Sequence, residues 1–306
     1  MNNIPMSADE AMYSLWQSSG KAIVAAPDEW HWQVYHLSLY GRGMEEALDM
    51  LYNRRPDYKD FQDWLGETEP MTDDVLFPGD VLSEEDLQSW HRDGYIVVNN
   101  AVPEDDCIAA RSAIWQFLDA DVNDANSWYK PSNGKKGMML SFFRHPALDA
   151  VRRNAKVRRI YEQLYGTREI YLLIDKVSFN PPEINGYKFT GSPLHWDVSL
   201  QPPVPYVLQG FVYLNDVSVT DGAFHCVPGF HYRLEEWLNA LPAGVDARTE
   251  AIGTLKATPI TGNTGDLVIW QQALPHCATP NTGTVPRLVQ YVAYKPVQPV
   301  IHQQWK

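Results

Sequence analysis

Cysteine is scarce in this 306-residue chain: there are only Cys107, Cys226 and Cys277, an odd and widely spaced set. That set fits neither a disulfide framework nor a zinc ribbon and points to a reducing compartment. Positive charge is also short, with 25 Lys and Arg against 38 Asp and Glu, a formal net charge of −13. Nucleic-acid binding rests on clustered Lys and Arg, so no nucleic-acid partner is expected. The same balance makes a polyanionic acyl-CoA a poor substrate unless a local basic pocket overrides it. No run is long and apolar enough to span a bilayer, and the N-terminus lacks the charged-then-apolar pattern of a signal peptide. A cytoplasmic protein without membrane contact is the expectation. Repeats and low-complexity stretches are absent as well.

What is present is apolar mass, 44% of residues with eleven tryptophans, ample for a sizeable core. The first 80 residues differ in texture from the rest. They hold Trp16, Trp30, Trp32 and Trp64, and Met44, Leu48 and Leu51 recur at helical spacing within Met44 to Arg54. That aromatic content predicts helices packed on the core, as a lid or a homodimer contact, rather than a disordered tail. A turn-rich acidic stretch from Glu67 to Asp80 follows.

Beyond it, Ser83 with Glu85 and Asp86 predicts a capped helix through Arg92, ended by Gly94. Tyr95 to Asn99 reads as a strand and Glu104 to Leu118 as an amphipathic helix. Val157, Ile160, Tyr161 and Leu164 mark another helix, stopped by Gly166. After Thr167 the texture changes to short β-rich runs: Ile170 to Phe179, Val207 to Leu214, Ala223 to Val227, Leu267 to Trp270 and Leu288 to Tyr294. Many short strands without crossover helices predict an antiparallel jelly roll flanked by helices.

His195-Trp196-Asp197 carries the chemistry. In an extended strand, residues i and i+2 share a face, so the imidazole and the carboxylate project side by side. A third ligand must come from elsewhere. Two imidazoles and one carboxylate on one face of an ion suit a non-haem Fe(II) oxygenase. His225, His231 and His276 compete for the third place, and Arg287, eleven residues after His276, favours His276. An inward Arg287 needs a carboxylate partner, and a bound 2-oxo acid supplies one. Trp196 points to the other face and packs. Alternation likewise turns Cys277 from the metal into the core.

Five segments occur in order: Ser192 to Asp197, Asp221 to His231, Gly265 to Trp270, Pro275 to Asn281, and Pro286-Arg287. With Leu82 to Leu87 and Asp93 to Val98 before them, this series resembles the phytanoyl-CoA dioxygenase family of Fe(II)/2-oxoglutarate oxygenases, over roughly residues 80 to 296. The resemblance implies a double-stranded β-helix in residues 81–306, with residues 1–80 as a helical extension. It implies Fe(II) on His195, Asp197 and His276, with 2-oxoglutarate chelating the ion and Arg287 anchoring its distal carboxylate. O2 would be consumed, 2-oxoglutarate decarboxylated to succinate, and an unactivated C–H bond of a small metabolite or natural-product intermediate hydroxylated. Halogenating relatives lack the carboxylate, so Asp197 makes hydroxylation the default over halogenation. Desaturation, cyclisation and epimerisation use the same ligands. In the family His231 occupies the place of a non-ligand histidine. Phe230 and Ala278 depart from the family's serines. If the second hydroxyl helps hold 2-oxoglutarate, Gln209 and Lys176, on β-rich runs, are the candidates to replace it.

Overall fold

The structure, a computed structural model, describes residues 5–19, 26–68, 76–131, 134–189 and 191–298. Residues 69–75 of the expected acidic linker lie outside these, as does His302.

The chain begins with helices α1 (Ala8–Ser18), α2 (Pro27–Leu39), α3 (Met44–Arg54) and α4 (Tyr58–Gly66). The start of α1 is fixed by a reciprocal box: Glu10 N donates to Ser7 Oγ (3.3 Å) and Ser7 N to Glu10 Oε2 (2.9 Å). These helices bury Leu15, Trp32, Leu51, Phe61 and Trp64 in a small core of their own. Each such side chain removed from water contributes about 1.5–3 kcal/mol. They also dock on the remainder of the chain. The Tyr35 ring meets Tyr171 edge-on at 5.1 Å between centroids, and Arg144 Nε pairs with Glu46 Oε1 at 2.8 Å. Lys176 pairs with Glu45. At Gly43 the two parts approach so closely that a Cβ would stand 2.4 Å from the Ile174 carbonyl oxygen, so only glycine fits.

The second part follows as α5 (Glu84–Asp93), β1 (Tyr95–Val98), α6 (Glu104–Leu118), β2 (Lys135–Lys136), β3 (Met139–Leu140), α7 (Pro146–Arg152) and α8 (Ala155–Tyr165). Then come β4 (Ile170–Leu173), β5 (Val177–Asn180), β6 (Leu208–Tyr213), β7 (Phe224–Cys226), α9 (Leu234–Ala240) and α10 (Ala247–Thr254). The last elements are β8 (Thr258–Ile260), β9 (Leu267–Gln271), β10 (His276–Ala278), β11 (Arg287–Tyr291) and β12 (Ala293–Pro296). Ser83 caps α5 with Asp86, not Glu85, as its reciprocal partner, and Gly94 ends it in the left-handed region.

Two antiparallel sheets face each other. The large one runs β1-β9-β6-β11-β5-β3-β2 and the small one β10-β7-β8, extended beyond β10 by an isolated bridge between His195 and His276. β4 and β12 form a separate two-stranded ribbon. The stacked order of β5, β11, β6 and β9 against the His195 segment, β10, β7 and β8 is a double-stranded β-helix, the expected jelly roll. Alternation along β9 shows why these strands read as unbroken apolar runs. Leu267 and Ile269 enter the core under α6 and α8, while Val268 and Trp270 enter the core between the sheets. Both faces are covered, so no polar side is needed.

Several expected strand boundaries differ. Ile170 to Phe179 is two strands, interrupted at Ile174, Asp175 and Lys176, and Leu288 to Tyr294 divides into β11 and β12. The three-residue β8 and β10 are too short to show a period of two in sequence. Among the described residues no helix is long and apolar enough to cross a membrane.

Candidate active site

His195, Asp197 and His276 come together, their ligand atoms all within 4.8 Å of one another. His195 lies beyond the edge of the small sheet and is not in a regular strand. It meets β10 through two hydrogen bonds, His195 N to His276 O (3.0 Å) and His276 N to His195 O (2.9 Å). Paired residues of an antiparallel bridge share a face, and the two rings lie 4.6 Å apart. Each imidazole donates its Nδ1–H to a carbonyl two residues upstream, His195 to Pro193 O (2.8 Å) and His276 to Leu274 O (3.1 Å). A carbonyl can only accept, so Nδ1 carries a proton in each ring, and Nε2 faces the site, protonated where it donates to Asp197 and a lone pair where it would meet an ion. Those Nε2 atoms lie 3.4 and 3.3 Å from the two Asp197 oxygens.

Burial by itself would raise the Asp197 carboxyl. Hydrogen bonds with His195 and His276, the neighbouring His276 charge and the Gln209 amide instead hold it well below the usual carboxylate range. His195 shows the complementary shift. Burial disfavours its imidazolium, yet the Asp197 hydrogen bond and the Pro193 carbonyl raise it overall. Once each Nε2 gives up its proton, an anionic carboxylate flanked by two imidazole nitrogens is a donor set that fits a divalent first-row metal.

The rival histidines are placed elsewhere. His225 is opposite Cys277 in the β7–β10 register, whereas His276 is opposite Cys226, so His225 takes the other face of the sheet. His231 Nε2 donates to His91 O (3.0 Å) at the end of α5. A Cβ on Gly94 would stand 2.4 Å from the His231 ring.

Around the three residues lies a cavity of about 610 Å³, which Arg287, Gln209, Lys176 and Ala278 also line. Arg287, the first residue of β11, is 2% exposed. Its Nη1 donates to Gly222 O and its Nη2 has Met138 Sδ at 3.5 Å, while Nε has no partner among the described residues. Nε and Nη2 form one side of the guanidinium fork, and among the described residues that side meets no oxygen acceptor. Gln209, on β6, donates to Asp197 Oδ2 (2.9 Å) and so orients the carboxylate. Lys176 is occupied by Glu45 at the cavity wall. Trp196 is buried with its Nε1 on Ala273 O (2.9 Å), and Cys277, opposite His225 in the register, is half-buried against the second apolar cluster and borders the cavity.

Arg248 is a residue that no sequence pattern singles out. From α10 it donates to Trp196 O (2.6 Å) and Val198 O (2.8 Å), the carbonyls on either side of Asp197. Since this segment lacks a β-ladder, one guanidinium supplies bonds that a neighbouring strand would otherwise make. Nothing local marks it, because fifty residues separate the partners.

A jelly roll with two histidines and a carboxylate facing its central cavity has the geometry of the non-haem Fe(II) oxygenases. The chain belongs to the phytanoyl-CoA dioxygenase family, whose sequence profile matches residues 90–289. A Dictyostelium discoideum relative named for that family is 20% identical over 267 residues, covering 69% of this chain and 75% of the relative. Among solved structures, EctD from S. alaskensis with 2-oxoglutarate and 5-hydroxyectoine is similar at a TM-score of 0.54 and 18% identity, covering 74% of this chain and 81% of that one. The α-ketoglutarate-dependent epimerase SnoN from nogalamycin biosynthesis follows at 0.51 and 17%, covering 70% and 82%. The carbocyclase SnoK of the same biosynthesis is similar at 0.51 and 18%, covering 71% and 87%.

Proposed function

We propose that this protein is an Fe(II)/2-oxoglutarate-dependent oxygenase that hydroxylates an unactivated C–H bond of a small metabolite or natural-product intermediate. The observation that carries the reading is the pairing of His195, Asp197 and His276 with a buried Arg287 whose free fork opens on the same cavity. In this reading residues 81–306 are the catalytic domain and residues 1–80 a helical extension that closes one wall. Iron and 2-oxoglutarate are named by the solved neighbours, and the donor set here suits them.

His195, Asp197 and His276 would hold the ion. Bound with 2-oxoglutarate and O2, Fe(II) would supply the oxidative chemistry that decarboxylates the co-substrate and hydroxylates carbon. Arg287 would grip the distal carboxylate of 2-oxoglutarate through Nε and Nη2, a charge-assisted bidentate pair in a dry pocket. Gln209 and Arg248 hold Asp197 in position from its side chain and its backbone. Phe224 and Trp270 pack on His276, at 5.7 and 5.1 Å between centroids, and keep water from that side. Asp197 favours hydroxylation over halogenation, since halogenating relatives lack that carboxylate.

The test is succinate formation by the purified protein, expected to require both Fe(II) and 2-oxoglutarate and to vanish in Asp197→Ala. No turnover of 2-oxoglutarate under any metal or substrate condition would leave a binding protein on the same fold.

A further inference from the structure

Arg287, Val289, Tyr291, Ala293 and Lys295 all line the cavity. They are alternate residues of one run through β11 and β12. The residues between them, Leu288, Gln290, Val292 and Tyr294, are at most 2% exposed and face the other way, three of them into the core under α6 and α8. A period of two therefore sets Arg287 and Lys295 on one wall, eight residues and at most about 26 Å apart at 3.3 Å per residue. If Arg287 takes the co-substrate, Lys295 belongs to another part of the cavity. That part is bounded by β4 and β12, where Ala293 pairs with Leu173, and by Asp175 just beyond β4.

The anion and the cation at this end, Asp175 and Lys295, act on each other only from beyond ion-pair distance. Lys176 is paired with Glu45, and Lys136 is exposed. Lys295 makes no hydrogen bond or ion pair among the described residues. Asp175 accepts the Lys176 N–H (2.7 Å), and no ion pair within 4.0 Å joins it to Lys295. Burial pushes the Asp175 carboxyl up and the Lys295 ammonium down, as it does for charges without a close counterion. Holding an unpaired cation and an unpaired anion beside one cavity is costly, and a ligand carrying both opposite charges relieves both.

We propose that the β4–β12 end of this cavity is the substrate subsite and that it takes a small amino acid or related zwitterion, its carboxylate on Lys295 and its ammonium on Asp175. The proposal rests on the reading of the triad and Arg287 given above. It makes Lys295 and Asp175 specificity-determining and leaves the side chain of the amino acid to face the metal ligands. Glu45 of α3, through Lys176, makes the N-terminal helices part of the same wall.

The experiment uses the full-length enzyme with Fe(II) and 2-oxoglutarate under anaerobic conditions. The visible absorption of Fe(II)-bound 2-oxoglutarate first reports the co-substrate complex. Thermal shift of that complex is then measured with the common L-amino acids, their carboxamides and their N-acetyl derivatives. At least one free amino acid is expected to raise Tm, while its carboxamide and its N-acetyl derivative do not. Lys295→Met should erase the preference over the carboxamide and Asp175→Asn the preference over the N-acetyl form. Lys295→Arg, which keeps the charge, should retain the carboxylate preference and separates folding from recognition. Absence of the absorption band sinks the oxygenase reading itself. A normal band with no response to any free amino acid, or equal responses to the blocked forms, overturns the subsite alone.

Discussion

Truncating Arg287 gives the sharpest test of the oxygenase reading. The side chain is 2% exposed, one Nη is committed to Gly222 O, and the Nε–Nη2 side has no oxygen partner. Removing one member of a desolvated charge pair costs about 2–5 kcal/mol. At about 1.4 kcal/mol per tenfold, that is roughly 30-fold to several thousand-fold in co-substrate affinity. Arg287→Ala should therefore raise the KM for 2-oxoglutarate by that range while metal still binds. It also strips a donor from the buried Gly222 carbonyl, which costs about 1–3 kcal/mol of stability, so Tm is recorded alongside. Arg287→Lys should recover only part of the affinity, because an ammonium cannot form the fork. A 2-oxo acid without the distal carboxylate is the control, and its disadvantage should disappear in the alanine variant. If 2-oxoglutarate saturates Arg287→Ala as readily as the parent, Arg287 does not anchor the co-substrate.

Four further outcomes are expected. His276→Ala and Asp197→Ala should each abolish turnover with the fold retained, whereas His225→Ala should keep it, as steady-state succinate assays with circular dichroism would show. Gln209→Leu and Arg248→Met should each weaken metal affinity by about 10–100-fold, read by Co(II) titration, since both hold a ligand rather than contact the ion. The third concerns pH. Burial lowers the pKa of His31, whose Nε2 meets Val297 O (3.0 Å), so its neutral form is favoured in the folded protein. The stability it contributes is present above its ordinary value of 6.5 and is lost as pH falls below that toward the lowered value. Tm should drop on acidification from about pH 7 to about pH 5.5, and less steeply in His31→Gln. Finally, a chain beginning at Pro78 should lose Tm and turnover, because Glu45, Glu46 and Tyr35 leave Lys176, Arg144 and Tyr171 without their partners.

The elements that could be read from sequence were those whose signal is local. Gly94 and Gly166 stop α5 and α8 in left-handed turns, and Met44 to Arg54 shows its helical face directly. The His195–Asp197 spacing placed two donors side by side, although the segment proved to be a single bridge rather than a strand. β8 and β10 were hidden by their length. Gln209 and Lys176 carry no sequence signal beyond lying on β-rich runs, and the geometry gives each a protein partner, Asp197 and Glu45. Arg248, Lys295 and Asp175 acquire meaning only through contacts across the fold, so no window of sequence could have singled them out.

The His195 bridge also bears on how the protein would behave in a cell. Two backbone hydrogen bonds join this segment to β10 beyond the edge of the small sheet. An ion shared by His195, Asp197 and His276 would rivet that margin to the rest of the barrel, adding its binding energy to the stability of the fold. A molecule synthesised in iron-poor conditions would carry a looser margin, more open to proteolysis near residues 192–201. Its abundance, and not only its turnover, would then follow iron supply.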